Sequence, residues 1–580
     1  MERFDISFNL ENQNRILAVE DIEFANNVGI GQWPEEIKEE RKNDKRPCLT
    51  INKLRKFIKL LVGEQRQNRV AIKVKPVDDE SDPAIATIIE DIIRMIEYNS
   101  NADIAYDTAF EHAITGGFGY FRIITDYSSE DSFDMDVRIK RIRNPFVVYF
   151  GPADEYDKSD AKWCFITEKI SKTEFQEQYP DIAPVNLDSP QTGEIYEKWF
   201  TPDKVRIAEY FYKEPAEKTI VQVNDGSAVE LNDIVTENFL TSKGYSIVKK
   251  RKVKTHKVMW SKICGNEIIE GPTEWIGKYI PVVPILGDEI NVEGKIIYKS
   301  LIRDAKDSQR MYNYWLTTAT EKIALTPRAP FLVTPEQIAG HETMWNEANI
   351  KNKPYLFYNE TTSAKPQREP SPEIPTGIIN QLNICDNDLN DTIGIFDPAL
   401  GERSNERSGK AILARQKRSD LGTFSYIDNM RRSMVYAGKI LIDIIPRIFD
   451  TERTLRIRNF KGDEALVTIN KTIFDNSGKE VVLYDITKGK YDVWADVGPA
   501  YSTRRQEAVD AMLQFIQYAP ALATVVGDLI AKNMDWPGAD EFAERLKKLL
   551  PPQISQQQAP LSEGEILPAG MSAMPGKLGV

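Results

Sequence analysis

Residues 401–416 read GERSNERSGKAILARQ, with two glycines, several basic side chains and a Gly409-Lys410 pair running into a helical pattern. Those residue types suit a phosphate-binding loop. Its glycines would let backbone N–H groups wrap the phosphates, its lysine would neutralise them, and a following hydroxyl would hold magnesium. The spacing fails the chemistry. The first glycine belongs at 404, which is Ser404, and the hydroxyl belongs at 411, which is Ala411. A buried strand should lead into the loop, whereas ICDNDLNDTIGIFD has the pattern of an amphipathic helix and a turn. Gly409 therefore reads as a turn residue at the foot of a long helix, and Lys410 is no longer a candidate for ATP.

The other chemical candidates fail in similar ways. GGFGYFRIIT, from Gly116, resembles a dinucleotide loop, but its order is helix, glycines, strand, the reverse of what a pyrophosphate needs. Arg122 also fills the third glycine position. Cys48, Cys164, Cys264 and Cys385 form no CxxC pair, and His112, His256 and His341 are equally scattered, so no zinc spacing and no Ser-His-Asp arrangement can be placed. KKRKV, Lys249 to Val253, has the letters of a nuclear-import signal. It sits in an alternating strand pattern, where charges on the solvated face guard an edge, and a local phosphate contact is the other reading. No catalytic constellation, cofactor site or metal site survives, and the chain reads as a structural protein.

The elements that would position such residues are legible in outline. At 580 residues the chain exceeds one ordinary core and calls for roughly three to four subdomains. Its net charge of −13 argues against tight, sequence-independent grip on DNA without excluding a protein that lets DNA pass. The most apolar run, KILIDIIPRIF, is too short to span a membrane, so a soluble protein or assembly is expected. Asp82-Pro83 signals a helix start, followed by Ile85, Ile88, Ile89, Ile92 and Ile96 on one face. Residues 120–292 alternate as short strands. A long helix is expected over 296–325, with Ile297, Leu301, Ala305, Ser308, Tyr312, Trp315, Ala319 and Ile323 on its packed face. Eight prolines between 327 and 375 forbid long helices there. A helix returns at Thr376. Another, of about 38 residues (about 57 Å), buries Ile427, Met430, Met434, Ala437, Leu441 and Ile444, bends at Gly422 and stops at Pro446. Strands follow over 449–500, then helices from the TRRQ capping box at Thr503.

SNERSGKAILARQKRSDLGTFSYIDNM is similar to the characteristic segment of bacteriophage portal proteins, the head-to-tail connectors of short-tailed phages. RPCLTINKLRKFIKLLVGEQRQNR, DAKDSQRMYNYW and DVWADVGPAYSTRRQEAVDAML resemble further segments of that family in the expected order. The resemblance implies an α+β portal fold with long stem and crown helices, a β-rich wing and a Pro-rich clip, assembling into a ring. It divides the chain into an N-terminal polar segment (1–47), a wing (48–295), a first stem helix (296–325), a clip (326–375) and a second stem helix (376–393). A channel-side loop (394–410), a long inner-wing helix (411–446), a β-rich wing return (447–500), crown helices (501–550) and a disordered tail (551–580) complete it. With so short a tail, the long helical barrel of some relatives is not expected.

The resemblance further implies a homo-oligomer, a dodecamer of about twelve copies, at one capsid vertex of the virion, assembled in the host cytoplasm. Double-stranded DNA would pass through it, driven by the terminase large subunit, with the major capsid, scaffolding and tail adaptor proteins as other partners. The terminase, not the ring, supplies ATPase activity. In such a ring Arg403, Arg407 and Lys410 would lie beside DNA in transit. Alternatively these charges make salt bridges between subunits, with Glu402, Glu406 and Arg415 as contact candidates. Another virion structural protein of the tail or vertex, or a soluble enzyme with an unseen site, are the competing readings.

Overall fold

The first residues form a 25-residue helix, α1 (Glu2–Asn26), that no apolar stripe announces. The computed structural model describes residues 1–77, 81–180, 198–201, 203–224, 226, 228–231, 236–242, 244–265, 267–325, 331–348, 351, 353–361, 364–369, 376–394, 409–458, 464–474 and 480–497, with isolated positions beyond; side chains are described from 424 in the helix that begins at 409. The expected crown helices and tail lie outside the described residues. The polar segment expected over 1–47 is thus largely helical, and the reason is chemical. The buried face of α1 carries Ser7, Glu11, Asn14, Arg15 and Asp21 beside Phe4, Ala18, Phe24 and Ala25, while Ile6, Leu10, Ile16 and Val19 face outward.

Each of these buried polar side chains has at least one partner. Trp163 Nε1 donates to Ser7 Oγ at 2.9 Å. Asn14 donates to Ile296 O at 2.9 Å and accepts from Tyr298 N at 3.1 Å. Arg15 donates to the carbonyls of Phe146 and Val148. Asp21, fully buried, accepts from Ser300 Oγ at 2.7 Å and Arg303 Nε at 2.9 Å and pairs with Lys306.

After α2 (Glu35–Asn43) an extended segment leads to α3 (Leu54–Gln67) and β1 (Val70–Pro76). Next come α4 (Pro83–Asn99), capped by Asp82 accepting from Ala84 N at 2.8 Å, and α5 (Ala102–Gly116). The glycines after α5 are structural. Gly117 closes the helix at φ 91°, and a side chain on Gly119 would run into the Ala109 backbone, so α5 can lie directly on β2 (Phe118–Tyr127).

Strands then dominate: β3 (Met135–Arg141), β4 (Val148–Phe150), β5 (Trp163–Ser171), β6 (Lys204–Val223), β7 (Ala228–Leu231), β8 (Ile247–Cys264), β9 (Glu267–Glu274) and β10 (Val282–Leu286). Helices α6 (Lys172–Gln178) and α7 (Glu237–Ser242) interrupt them. One sheet has the order β4-β5-β6-β8-β9 with β7 added to β6, and a second has the order β10-β2-β3.

The long helix expected from 296 starts ten residues late. Residues 295–299 instead form β12 (Lys295–Lys299), paired with β11 (Asp288–Val292). Glu293 and Gly294, both at positive φ (51° and 82°), make the tight turn, and branched Ile296 and Ile297 favour the strand. The helix itself, α8, spans Lys306–Leu325.

The Pro-rich insertion closes on a two-stranded base, β13 (Phe331–Leu332) against β14 (Gln367–Arg368), and holds α9 (Pro335–Ile338) and α10 (Glu342–Asn346). Two helices follow, α11 (Thr376–Ile393) and the 40-residue α12 (Gly409–Ile448). Pro446 lies inside the last turn of α12 rather than ending it. A proline so near a helix end removes little of the hydrogen-bond ladder. Strands β15 (Arg453–Arg458), β16 (Glu464–Ile469), β17 (Lys471–Phe474), β18 (Glu480–Leu483) and β19 (Tyr491–Val497) complete the described chain.

Every described ladder is antiparallel, and helices and strands are segregated along the chain, which makes the fold α+β. Residues 1–66 and 70–497 form one compact unit, and 67–69 group with 498–580 in another. In the first, β1 pairs with β19 from Val70↔Val497 to Pro76↔Tyr491. Ile427, Met430, Met434, Ala437, Leu441 and Ile444 of α12 are buried as the periodicity predicts, in one core with Ile89, Ile92, Ile93 and Ile96 of α4, Phe110 of α5 and Ile72 of β1.

Candidate functional site

The segment that failed as a phosphate loop joins two helices, α11 and α12. Gly394, at φ 76°, closes α11 with its N–H on Asn390 O at 2.9 Å. Glu402, Arg403, Glu406 and Arg407 lie outside the described residues. Lys410 and Arg415 stand in the first turns of α12, with side chains also outside them. The described element that precedes the segment is a helix, α11, whereas a nucleotide loop follows a strand.

What ties α8 and α11 to a common segment is a polar stripe that sequence periodicity hides. Along α8, Gln309, Asn313, Thr317 and Glu321 are buried at every fourth position, while Ser308, Tyr312, Trp315 and Ala319 of the expected face are only half-buried. The stripe hydrogen-bonds the extended segment before α3. Gln309 accepts from Lys53 N at 3.1 Å and donates to Ile51 O at 2.8 Å. Asn313 accepts from Ile51 N at 3.0 Å, and Thr317 Oγ1 accepts from Leu49 N at 3.2 Å. The spacing of four puts one side chain per helical turn against alternate residues of an extended chain, about 6 Å against about 6.6 Å. Glu321 ends the stripe by accepting from Arg41 at 2.9 Å and Arg46 at 2.5 Å. The hydrogen bond from Arg46 holds its carboxyl below the usual range. Lys53 then reaches Asp386 of α11 at 2.6 Å, linking both helices to the same segment.

The far half of α12 is fixed by polar handles as well as by its apolar face. Tyr426 Oη donates to Lys299 O at 3.3 Å, Asn429 Nδ2 to Gly287 O at 3.0 Å, and Tyr436 Oη to Ile280 O at 3.1 Å. Arg431 Nε donates to Ala495 O at 3.0 Å. The far half of α12 is therefore tied to the strands and loops at 280–299 and 495, and α11 to the segment before α3.

The Pro-rich insertion presents a different surface. Phe331 and Trp345 meet edge to face, and Trp345 Nε1 donates to Phe357 O at 2.7 Å. Around this small core, Leu332, Tyr355, Phe357 and Tyr358 remain exposed. The four cysteines are all free thiols. Among the described residues no cluster of His, Cys, Asp and Glu is placed to hold a metal, and no helix is long and apolar enough to cross a membrane. KKRKV lies within β8, on the strand that its alternation predicts.

A family model described as Phage P22-like portal protein matches residues 1–571. The chain is also similar to the portal protein of Acyrthosiphon pisum secondary endosymbiont phage 1. The two are 27% identical over 584 aligned residues, covering 95% of this chain and 80% of that one.

Proposed function

The chain belongs to the P22-like phage portal family, whose members are structural, oligomeric rings of the virion that serve DNA packaging at a capsid vertex, and from that membership we propose the working parts of this ring. The ring has about twelve copies and is assembled in the host cytoplasm. Helices α8 and α11 are its stem. The insertion between them is its clip, where the terminase large subunit docks during packaging and a tail adaptor docks afterwards. Exposed Leu332, Tyr355, Phe357 and Tyr358 give that clip an aromatic contact surface of the kind that anchors protein interfaces. The sheet built on β6 and β8 belongs to the wing, which faces capsid and scaffolding proteins.

The observation that carries this reading is the helix–insertion–helix–connection–helix order of 306–448, within a family match over nearly the whole chain. In this reading the 394–410 connection lies at the channel side, with Arg403, Arg407 and Lys410 beside DNA in transit. A ring repeats each weak, salt-screened phosphate contact in every subunit, so small charges matter without binding tightly. Packaging assays on rings carrying Arg403→Ala and Arg407→Ala test this. The expected result is intact rings that package several-fold less DNA per head. Loss of ring assembly would instead assign these arginines to subunit bridges with Glu402 or Glu406, and intact rings with unchanged packaging and ejection would remove them from the channel.

A further inference from the structure

Strands β6 and β8 pair along nearly their whole length, from Ala208↔Ile263 to Val223↔Ile247. Strand β9 covers only the Met259–Cys264 end of β8. Among the described residues, the distal stretch 247–257 therefore has β6 on one side and an open backbone edge on the other. Six cations crowd that stretch, Lys249, Lys250, Arg251, Lys252, Lys254 and Lys257, and all are exposed. Lys250 pairs with Glu237 and Lys257 with Glu274. Lys249, Arg251, Lys252 and Lys254 make no ion pair among the described residues. Of the residues facing these four across the ladder, Gln222, Ile220, Thr219 and Glu217, one alone is acidic.

Guarding an open edge needs one or two lysines. Four unpaired cations within six residues add mutual repulsion that a chain of net charge −13 has ample carboxylates to neutralise, yet does not. Alternation sends Lys249 and Arg251 to one face and Lys252 and Lys254 to the other, so the charges surround the edge. The run spans about 17 Å, the length of about five phosphates on one strand of a duplex. Between Lys249 and Lys254 there is no aromatic ring on which an unpaired base would stack, which favours a duplex over a single strand. Three of the four are lysines, compact point charges suited to phosphate rather than to reading base edges.

We propose that the distal half of β8 is a second, sequence-independent contact for double-stranded DNA, separate from the 394–410 connection. Its cations are Lys249, Arg251, Lys252 and Lys254, and ring symmetry multiplies a weak site into a useful one. The proposal leans on the portal reading only for the presence of DNA and the multiplicity.

The test is fluorescence anisotropy of the purified full chain with a random-sequence duplex across a salt series. The variant carries Lys249→Gln, Arg251→Gln, Lys252→Gln and Lys254→Gln, and the Arg403→Ala, Arg407→Ala variant serves as a comparison. The expected result is at least about tenfold weaker binding for the four-site variant, with a salt slope shallower by about 3 to 4, and a smaller loss of affinity and slope for the two-site comparison variant. Unchanged affinity and slope in the four-site variant overturn the proposal, as does loss of binding in the comparison variant alone or no duplex binding by the parent chain at low salt. Displacement by polyglutamate as effective as by duplex, at equal charge, also overturns it and assigns the edge to an acidic protein partner. Since these readouts need no packaging, their failure leaves the portal reading intact.

Discussion

Alanine in place of Glu11 is expected to destabilise the folded chain by about 3–5 kcal/mol. Glu11, Arg15 and Lys158 are only 5%, 8% and 5% exposed. Glu11 accepts from Arg15 Nη2 at 2.9 Å and from Lys158 Nζ at 3.1 Å. Burial by itself would raise the Glu11 carboxyl pKa, but the Lys158 ammonium and the Arg15 guanidinium outweigh it and hold the group below its usual range. Removing the carboxylate leaves two cations in the interior without their counter-charge, and that desolvation sets the size of the loss. Pairing Glu11→Ala with Lys158→Met removes one stranded charge and should recover a large part of it. Urea titrations of the four combinations measure the coupling. A single-variant loss below about 1 kcal/mol would mean that water or relaxation reaches the cluster.

A second large effect concerns acid. His112 on α5 has its pKa lowered from 6.5 to about 4, first by burial and then by the nearby Arg141 guanidinium. Its Nδ1 is buried without a hydrogen-bond partner among the described residues. The unfolded chain therefore binds a proton at this site at higher pH than the folded one does. Stability from the neutral ring is fully present above pH 6.5 and is lost as pH falls from there towards about 4. At about 1.4 kcal/mol per pH unit across that window the contribution is about 3 kcal/mol. His112→Gln, neutral throughout, should flatten the stability profile by that amount between those pH values. Parallel profiles for parent and variant would assign the acid sensitivity to carboxylates alone.

The apolar half of α12 was readable because its partners are apolar and its period is 3.6. The same holds for α4, whose Asp82 cap and Pro83 start are local signals, and for β8, where alternation outweighs the basic letters. α1 was not readable because its buried face is polar and its outward face carries Ile6, Leu10, Ile16 and Val19. A face that buries Glu11 and Asp21 is stable only because Lys158, Arg303 and Lys306 lie far along the chain, and no local window contains both. The stripe Gln309, Asn313, Thr317 and Glu321 hid for the same reason, its partners being backbone groups of 49–53 and the arginines 41 and 46. For the candidate channel segment, its place between two helices was legible. What Arg403 and Arg407 touch was not legible, because no periodic pattern in the segment gives those charges a partner.

A portal must close into a ring that DNA can traverse. Electron microscopy of the purified full-length protein tests that most directly. The predicted result is closed rings of uniform subunit number with a central opening wide enough for a DNA duplex. Monomers, open filaments or closed particles without a central opening, under conditions where the protein is folded, would contradict it.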